Sequence, residues 1–191
     1  ILITGCRKGE AIHAEWGDFD LDQGIWRIRD KPECPTILSE GWKPKANKER
    51  DVYLLPEAVD LLKSIPRYDE TFGSVKINGE LTFKRADFVF TVKRRVKIDG
   101  VSEWRQTRIG NERSSWKKLL EEAGIPDLQI KDLRRFLNSV LVNDCGLSHK
   151  EAGVQIGNSN LVNYNHYTQV DFDSIRTKLE KSQDLLPQFL N

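Results

Sequence analysis

The sequence predicts a mostly α domain with a small antiparallel β-sheet, an α+β architecture. Three observations carry that expectation. The second half repeats apolar residues at three-four spacing between helix start and stop signals, the mark of successive amphipathic helices. Apolar alternation is confined to two short runs in the first third, GIWRIR and DVYLL. The 191 residues, 38% hydrophobic and 31% charged, suffice for one ordinary core, so a single domain over 1–191 is expected.

The elements follow in order. ILITG reads as the apolar end of a helix whose start is missing, so the chain is expected to begin inside a larger protein. Thr4 or Gly5 can cap a helix carrying Arg7, Glu10, Ala11 and Ile12 and ending near Gly17. GIWRIR and DVYLL are strands, and the proline- and lysine-containing stretch from Asp30 to Arg50 is a long connection closing in a hairpin turn at Ala46 to Lys48. Pro56 and Glu57 open a helix with Val59, Leu61, Leu62 and Ile65 on or near one face.

From Arg67 to Ser114 only Phe88 to Val92 reads as a strand. Ser114 or Ser115 then starts a helix with Trp116, Leu119 and Leu120 inward, stopped at Gly124. KDLRRFLNSVLVNDCG places Leu133, Phe136, Leu137, Val140 and Leu141 at three-four spacing, with Gly146 as its stop. Ser148 and Glu151 form a capping box for a short helix ending at Gly157, and Ser159 caps one that carries Tyr167. Asp173 to Ser182 is a last amphipathic helix before the apolar tail LLPQFLN.

Composition excludes several classes. The sequence shows neither a run long and apolar enough for a membrane span nor the charged n-region and apolar h-region of a signal peptide, so a cytoplasmic, nucleoid-associated location is expected. Cys6, Cys34 and Cys145 have no CxxC spacing and are odd in number, which favours reduced thiols over a disulfide framework. His13, His149 and His166 do not pair at ligand spacing, and no metal or cofactor is expected.

A net charge of +1 falls short of a simple nucleic-acid binder, but its distribution is uneven. Residues 1–40 carry five Lys/Arg against eight Asp/Glu, whereas residues 93–118 carry nine against three. That stripe, which includes Arg94 and Arg95, suits phosphate contacts, and these supply most of a protein's affinity for nucleic acid.

Four segments carry chemistry: TGCRKGE, KPKANKER, KDLRRFLNS and IGNSNLVNYNHY. Cutting DNA with a protein nucleophile requires cations on the non-bridging phosphate oxygens and an acid for the departing sugar hydroxyl. Arginine supplies the first through its planar fork, and lysine the second through a pKa that moves readily. Tyrosine, with a free pKa near 10, is about one part in a thousand ionised at pH 7, a deficit of about 4 kcal/mol that neighbouring cations reduce. Lys131 and Arg134, three apart on a helix, share a face, leaving Leu133, Phe136 and Leu137 for the core.

In order and approximate spacing these segments resemble the catalytic domain of the tyrosine recombinase (phage integrase) family, over nearly the whole chain. TGCRKGE is similar to the family's TGxRxxE, which implies Arg7 as the first catalytic arginine and Glu10 as the acid that orients it. KANKER before DVYLL resembles the hairpin whose lysine protonates the leaving 5′ hydroxyl, a role implied for Lys45 over its rivals Lys43 and Lys48. KDLRR resembles the HxLRH box, which makes Arg134 the second arginine and puts Lys131 where histidine is usual. GNS resembles GHS, so Asn158 stands in place of histidine or tryptophan, and Tyr167 matches the nucleophile, with Tyr164 as its rival.

The resemblance implies a mainly helical domain that binds double-stranded DNA and exchanges strands through a 3′-phosphotyrosyl link, without metal or ATP. Lys43, Lys48, Arg94, Arg95 and Arg135 are expected as DNA contacts. The family assembles as a tetramer on synapsed sites, with a monomer expected alone, an upstream DNA-gripping domain beyond this chain, and residues 171–191 docking on a neighbouring protomer or in cis. Rival readings are a type IB topoisomerase-like relaxase, a weak or inactive integrase-derived DNA binder, and a helical interaction module.

Overall fold

The structure, a computed structural model, describes residues 1–36, 40–45, 48–77, 79–98, 100–110 and 113–158. Tyr167, its rival Tyr164, His166, the helix expected after Ser159 and the tail 171–191 lie outside the described residues, as do Ala46 and Asn47 of the expected turn. Among the described residues helix and strand contribute about equally, which corrects the expectation of a mostly α domain.

The chain begins with a short helix, α1 (Lys8–Ile12), then a 3-10 turn at Trp16–Asp18. Strands β1 (Phe19–Asp20), β2 (Ile25–Ile28) and β5 (Arg50–Tyr53) form an antiparallel sheet in the order β1-β2-β5. Between β2 and β5 stands a separate hairpin, β3 (Lys31–Pro35) with β4 (Glu40–Trp42). Alternation on β2 sends Trp26 and Ile28 inward and leaves Ile25 and Arg27 half-buried. Val52 on β5 joins them, and helix α2 (Pro56–Ser64) closes the core with Ala58 and Leu62.

Pro56 starts α2 as expected, at a position where its missing N–H costs nothing. Leu61, by contrast, is 57% exposed. The first helix is also shorter than expected: it runs to Ile12 rather than Gly17, and its N-cap is Arg7 rather than Thr4 or Gly5. His13 follows it, its Nδ1 2.8 Å from the Gly9 carbonyl and its ring stacked on Trp42 at 5.4 Å.

The largest correction concerns residues 67–114. Here β6 (Thr71–Ile77), β7 (Glu80–Ala86), β8 (Thr91–Ile98) and β9 (Val101–Arg108) form a four-stranded sheet in the order β7-β6-β9-β8. It is two antiparallel hairpins joined by a parallel pairing of β6 with β9 at Phe72 and Thr107. Their strands are polar on most positions, so apolar alternation does not reveal them. The turn dipeptides Asn78-Gly79 and Asp99-Gly100 between the runs are the signal that does. This sheet is tied to the core by an antiparallel bridge of Glu15 with Phe88, made by Trp16 N–H to the Asp87 carbonyl and Val89 N–H to the Ala14 carbonyl.

Among the described residues three helices follow: α3 (Arg113–Ala123), α4 (Ile130–Asn143) and α5 (His149–Ile156). On α3, Leu120 is buried but Leu119 is 53% exposed, contrary to expectation. On α4 the buried positions are Arg134, Asn138 and Val142, one helical turn apart, while Phe136 is 61% exposed. The helix is thus rotated so that a polar pair, not its largest hydrophobe, faces inward. The Ser148–Glu151 capping box and the Gly157 stop of α5 are as expected, with Gly157 at φ +74°.

Candidate active site

Arg7 sits at the N-cap of α1 in extended backbone, where its own N–H would lack an acceptor. Glu10 at the third helical position accepts that N–H through Oε2 at 2.6 Å and the Arg7 Nη1 through Oε1 at 3.0 Å. Sequence spacing alone thereby fixes the pair to each other.

Glu10 is itself held from below. Arg50, the first residue of β5, donates Nη1 and Nη2 to the two Glu10 oxygens, both at 2.8 Å, in a parallel fork. The side chains are 7% and 2% exposed. Burial acts to raise the Glu10 carboxyl, but its hydrogen bond and charge pairing with Arg50, joined by Arg7, outweigh this and hold it below the ordinary carboxylate range. Glu10 therefore stays ionised while accepting four hydrogen bonds.

Helix α5 completes the arrangement. The Gln155 amide pairs with both backbone groups of Tyr53, accepting its N–H at 3.1 Å and donating to its carbonyl at 2.8 Å. In effect it caps the open edge of β5 and fixes where α5 ends. Gly157 then lies over Arg50, and a Cβ there would come within 2.5 Å of the Arg50 Cζ. Only glycine fits, on grounds of both space and left-handed backbone.

Arg7 Nη2 donates to the Gly157 carbonyl and, at 3.5 Å, to Asn158 Oδ1. Arg134, 6% exposed on α4, donates Nη2 to the same Asn158 Oδ1 at 2.7 Å and Nη1 to the Gly5 carbonyl. Gly5, at φ +63°, marks the bend that presents this carbonyl. The two arginines thus arrive from opposite ends of the described chain and meet on one amide oxygen. With Oδ1 turned to the guanidinium groups, Asn158 Nδ2 is buried and has no hydrogen-bond partner among the described residues.

Beside this cluster is an open cavity of about 290 Å³ lined by Ile1, Cys6, Arg7, Lys8, Ile130, Lys131 and Arg134. Four cations around one cavity make it a place for an anion. Lys131 is exposed at its rim and shares it with Arg134, as their spacing on one helix requires.

The other expected residues stand elsewhere. Lys45 is exposed on the connection between β4 and β5, not in a strand and not among the residues lining the cavity. Because β2 pairs with β5 while β4 pairs with β3, the expected hairpin carrying Lys45 is replaced by an excursion between paired strands. Lys43 is exposed and pairs with Asp30 at 3.0 Å, Lys48 is exposed, and Arg135 is half exposed and pairs with Asp132 at 3.0 Å. Arg94 and Arg95 are exposed on β8. Cys6 and Cys34 are buried free thiols and Cys145 an exposed one.

Two residues escape sequence reasoning. Lys8, a lining residue, is signalled only by adjacency to Arg7. Arg50 sits at the end of KANKER, but its burial depends on a carboxylate forty positions earlier, which no local pattern encodes.

The model of the phage integrase family matches residues 1–174. No curated protein matches the sequence. Among solved structures, the Tn1549 transposon integrase in complex with transposon right end DNA aligns at TM-score 0.60 and 16% identity, covering 94% of this chain and 56% of that one. The XerA recombinase aligns at TM-score 0.55 and 19% identity, over 94% and 54%. The XerH site-specific recombinase bound to its palindromic difH substrate, a post-cleavage complex, aligns at 0.52 and 20%, over 95% and 43%. This chain thus spans about half the length of the structures it resembles.

Proposed function

The chain belongs to the phage integrase family, and on that premise we propose that it cuts and rejoins DNA strands as the catalytic part of a site-specific recombinase. The observation that carries this reading is the meeting of Arg7 and Arg134 on Asn158 Oδ1 beside a cavity shared with Lys8 and Lys131. A phosphodiester is the anion such a cavity suits. Of the five N–H groups of a guanidinium, Arg7 commits three among the described residues, leaving Nε–H and one Nη1–H for a non-bridging oxygen. The Asn158 amide offers a further donor, though it cannot act as acid or base.

In the proposed reaction the Tyr167 hydroxyl oxygen attacks phosphorus and passes its proton to solvent as the P–O5′ bond breaks. The departing 5′ oxygen takes up a proton, from Lys45 in this assignment. A 5′ hydroxyl then attacks the 3′-phosphotyrosyl link and gives its proton back to Lys45, while the released tyrosine oxygen takes up a proton from solvent. The phosphodiester's energy is retained in the link, so no ATP is consumed. The cations that lower the cost of a phenolate also stabilise the added charge of pentacoordinate phosphorus, so one cluster serves both needs. Duplex DNA is the proposed partner, in a synapsed tetramer.

Nicked suicide duplexes incubated with the protein in chelator test this. A covalent adduct is expected, lost in Tyr167→Phe with DNA binding retained and kept in Tyr164→Phe. Binding without adduct would reduce the chain to a DNA binder. An adduct that reseals only its own strand would make it a relaxase.

A further inference from the structure

The ribbon formed by β8 and β9 carries a charged face that the site does not use. Its register pairs Lys93 with Gln106, Arg95 with Trp104 and Lys97 with Ser102. Strand alternation sets these six residues on one face and turns Val96, which is 5% exposed, to the other. Lys93, Arg95 and Lys97 are exposed, and none has an ion-pair partner among the described residues. Glu103, the acid among the described residues of the ribbon, lies on the opposite face and is held by Arg105 at 2.7 Å.

Trp104 is central to this face. Directly across from Arg95 and diagonal to Lys93 and Lys97, it is surrounded by all three cations. Its exposure is 62%, whereas Trp16 and Trp26 are buried and Trp42 and Trp116 half-buried. An indole left open to water beside three cations with no ion-pair partner among the described residues, spaced about 6.8 Å apart along the strand, combines two recognition elements. The cations suit a run of phosphates, and the ring offers a stacking surface for a base. A base in a closed duplex is already stacked on both sides and has no face to give.

We infer that this face of the β8–β9 ribbon binds an unpaired stretch of DNA, with a base stacked on Trp104 and phosphates on Lys93, Arg95 and Lys97. The inference rests on the recombinase reading for where such a strand comes from: between cleavage and rejoining, an exchanged strand must part from its complement. Its contacts, however, are separate from the cleavage cavity, so each can fail without the other.

The test is fluorescence titration of the full chain with a short oligothymidylate, with the same length of duplex in parallel. Oligothymidylate is expected to quench tryptophan emission and to bind about 5- to 150-fold more weakly to Trp104→Ala, the range for loss of one stacked base. Trp104→Phe should recover most of that loss. Replacing Lys93, Arg95 and Lys97 together by glutamine should lower the salt slope by about two, at roughly 0.7 per phosphate contact on a single strand. Adduct formation on suicide duplexes reports the other reading independently. Unchanged affinity and quenching in Trp104→Ala would overturn the inference. So would an effect on duplex binding alone, or on self-association of the chain with DNA binding intact.

Discussion

Replacing Arg50 by glutamine is expected to destabilise the fold by about 3 kcal/mol, the lower end of the roughly 3–5 kcal/mol found when a buried pair loses one partner. The loss arises because Glu10, 2% exposed, keeps its charge but loses both 2.8 Å contacts from Arg50. The lower end applies because the Arg7 backbone N–H and Nη1 still reach the carboxylate. Against a native stability of about 5–15 kcal/mol such a loss is large. Glu10→Gln should cost a comparable amount and, in addition, release Arg7, so it should lose cleavage beyond what its instability explains. The double variant should be less destabilised than the sum of the two by about 1–3 kcal/mol, since the two most buried charges of the group, 7% and 2% exposed, are then removed together. Urea denaturation followed by circular dichroism measures all three, provided the slope with denaturant is unchanged. A pH series adds a second readout. The folded-state pKa of Glu10 is depressed, so its contribution is complete above the ordinary value of 4.5 and is lost as pH falls through the lower folded value. Glu10→Gln should lack that part of the acid dependence. A loss under about 1 kcal/mol in Arg50→Gln, the worth of an exposed pair, would refute the argument.

Arg7→Lys and Arg134→Lys should each slow cleavage by about 10²–10³-fold with a much smaller change in DNA affinity, because an ammonium cannot reproduce a fork that holds Asn158 and a phosphate oxygen together. Binding assays beside single-turnover cleavage decide it, and equal losses would place these residues on a general phosphate track. Lys45→Ala should be rescued by a substrate whose leaving oxygen is sulfur, which departs unprotonated, and absence of rescue would remove the acid role from Lys45. His13 is lowered from 6.5 to about 4, chiefly by burial, with Arg108 and Lys31 adding to the effect and the Gly9 carbonyl opposing it. Its neutral form therefore contributes stability that is complete above pH 6.5 and eroded as pH falls toward about 4. His13→Phe, which keeps a ring against Trp42, should flatten urea midpoints over that window, and an unchanged profile would contradict this.

Local rules account for much of what the sequence reveals. Pro56 at the start of α2, the Ser148–Glu151 box of α5 and the left-handed Gly157 were all readable because each rests on residues within one helical turn. The Arg7–Glu10 pair belongs with them. The sheet of β6 to β9 was missed for a different reason: its strands are polar, so its sequence signal is turn chemistry at Gly79 and Gly100 rather than alternation. On α4 periodicity misplaced Phe136, which is exposed, and missed the burial of Arg134 and Asn138, while Leu133, Leu137, Val140 and Leu141 are half-buried.

By itself, then, the sequence determined the start of α2, both ends of α5, the strands β2 and β5 though not their pairing, and which residue types were available for phosphate chemistry. Only the tertiary structure decided that Arg134 could be buried, because the acceptors that make burial affordable, the Gly5 carbonyl and Asn158 Oδ1, come from the far ends of the described chain. It likewise decided that Arg50 lies under Glu10 and that no side chain fits at Gly157 above it. A buried charge is tolerated only where distant partners converge on it, and that convergence is a property of the packed chain rather than of any segment.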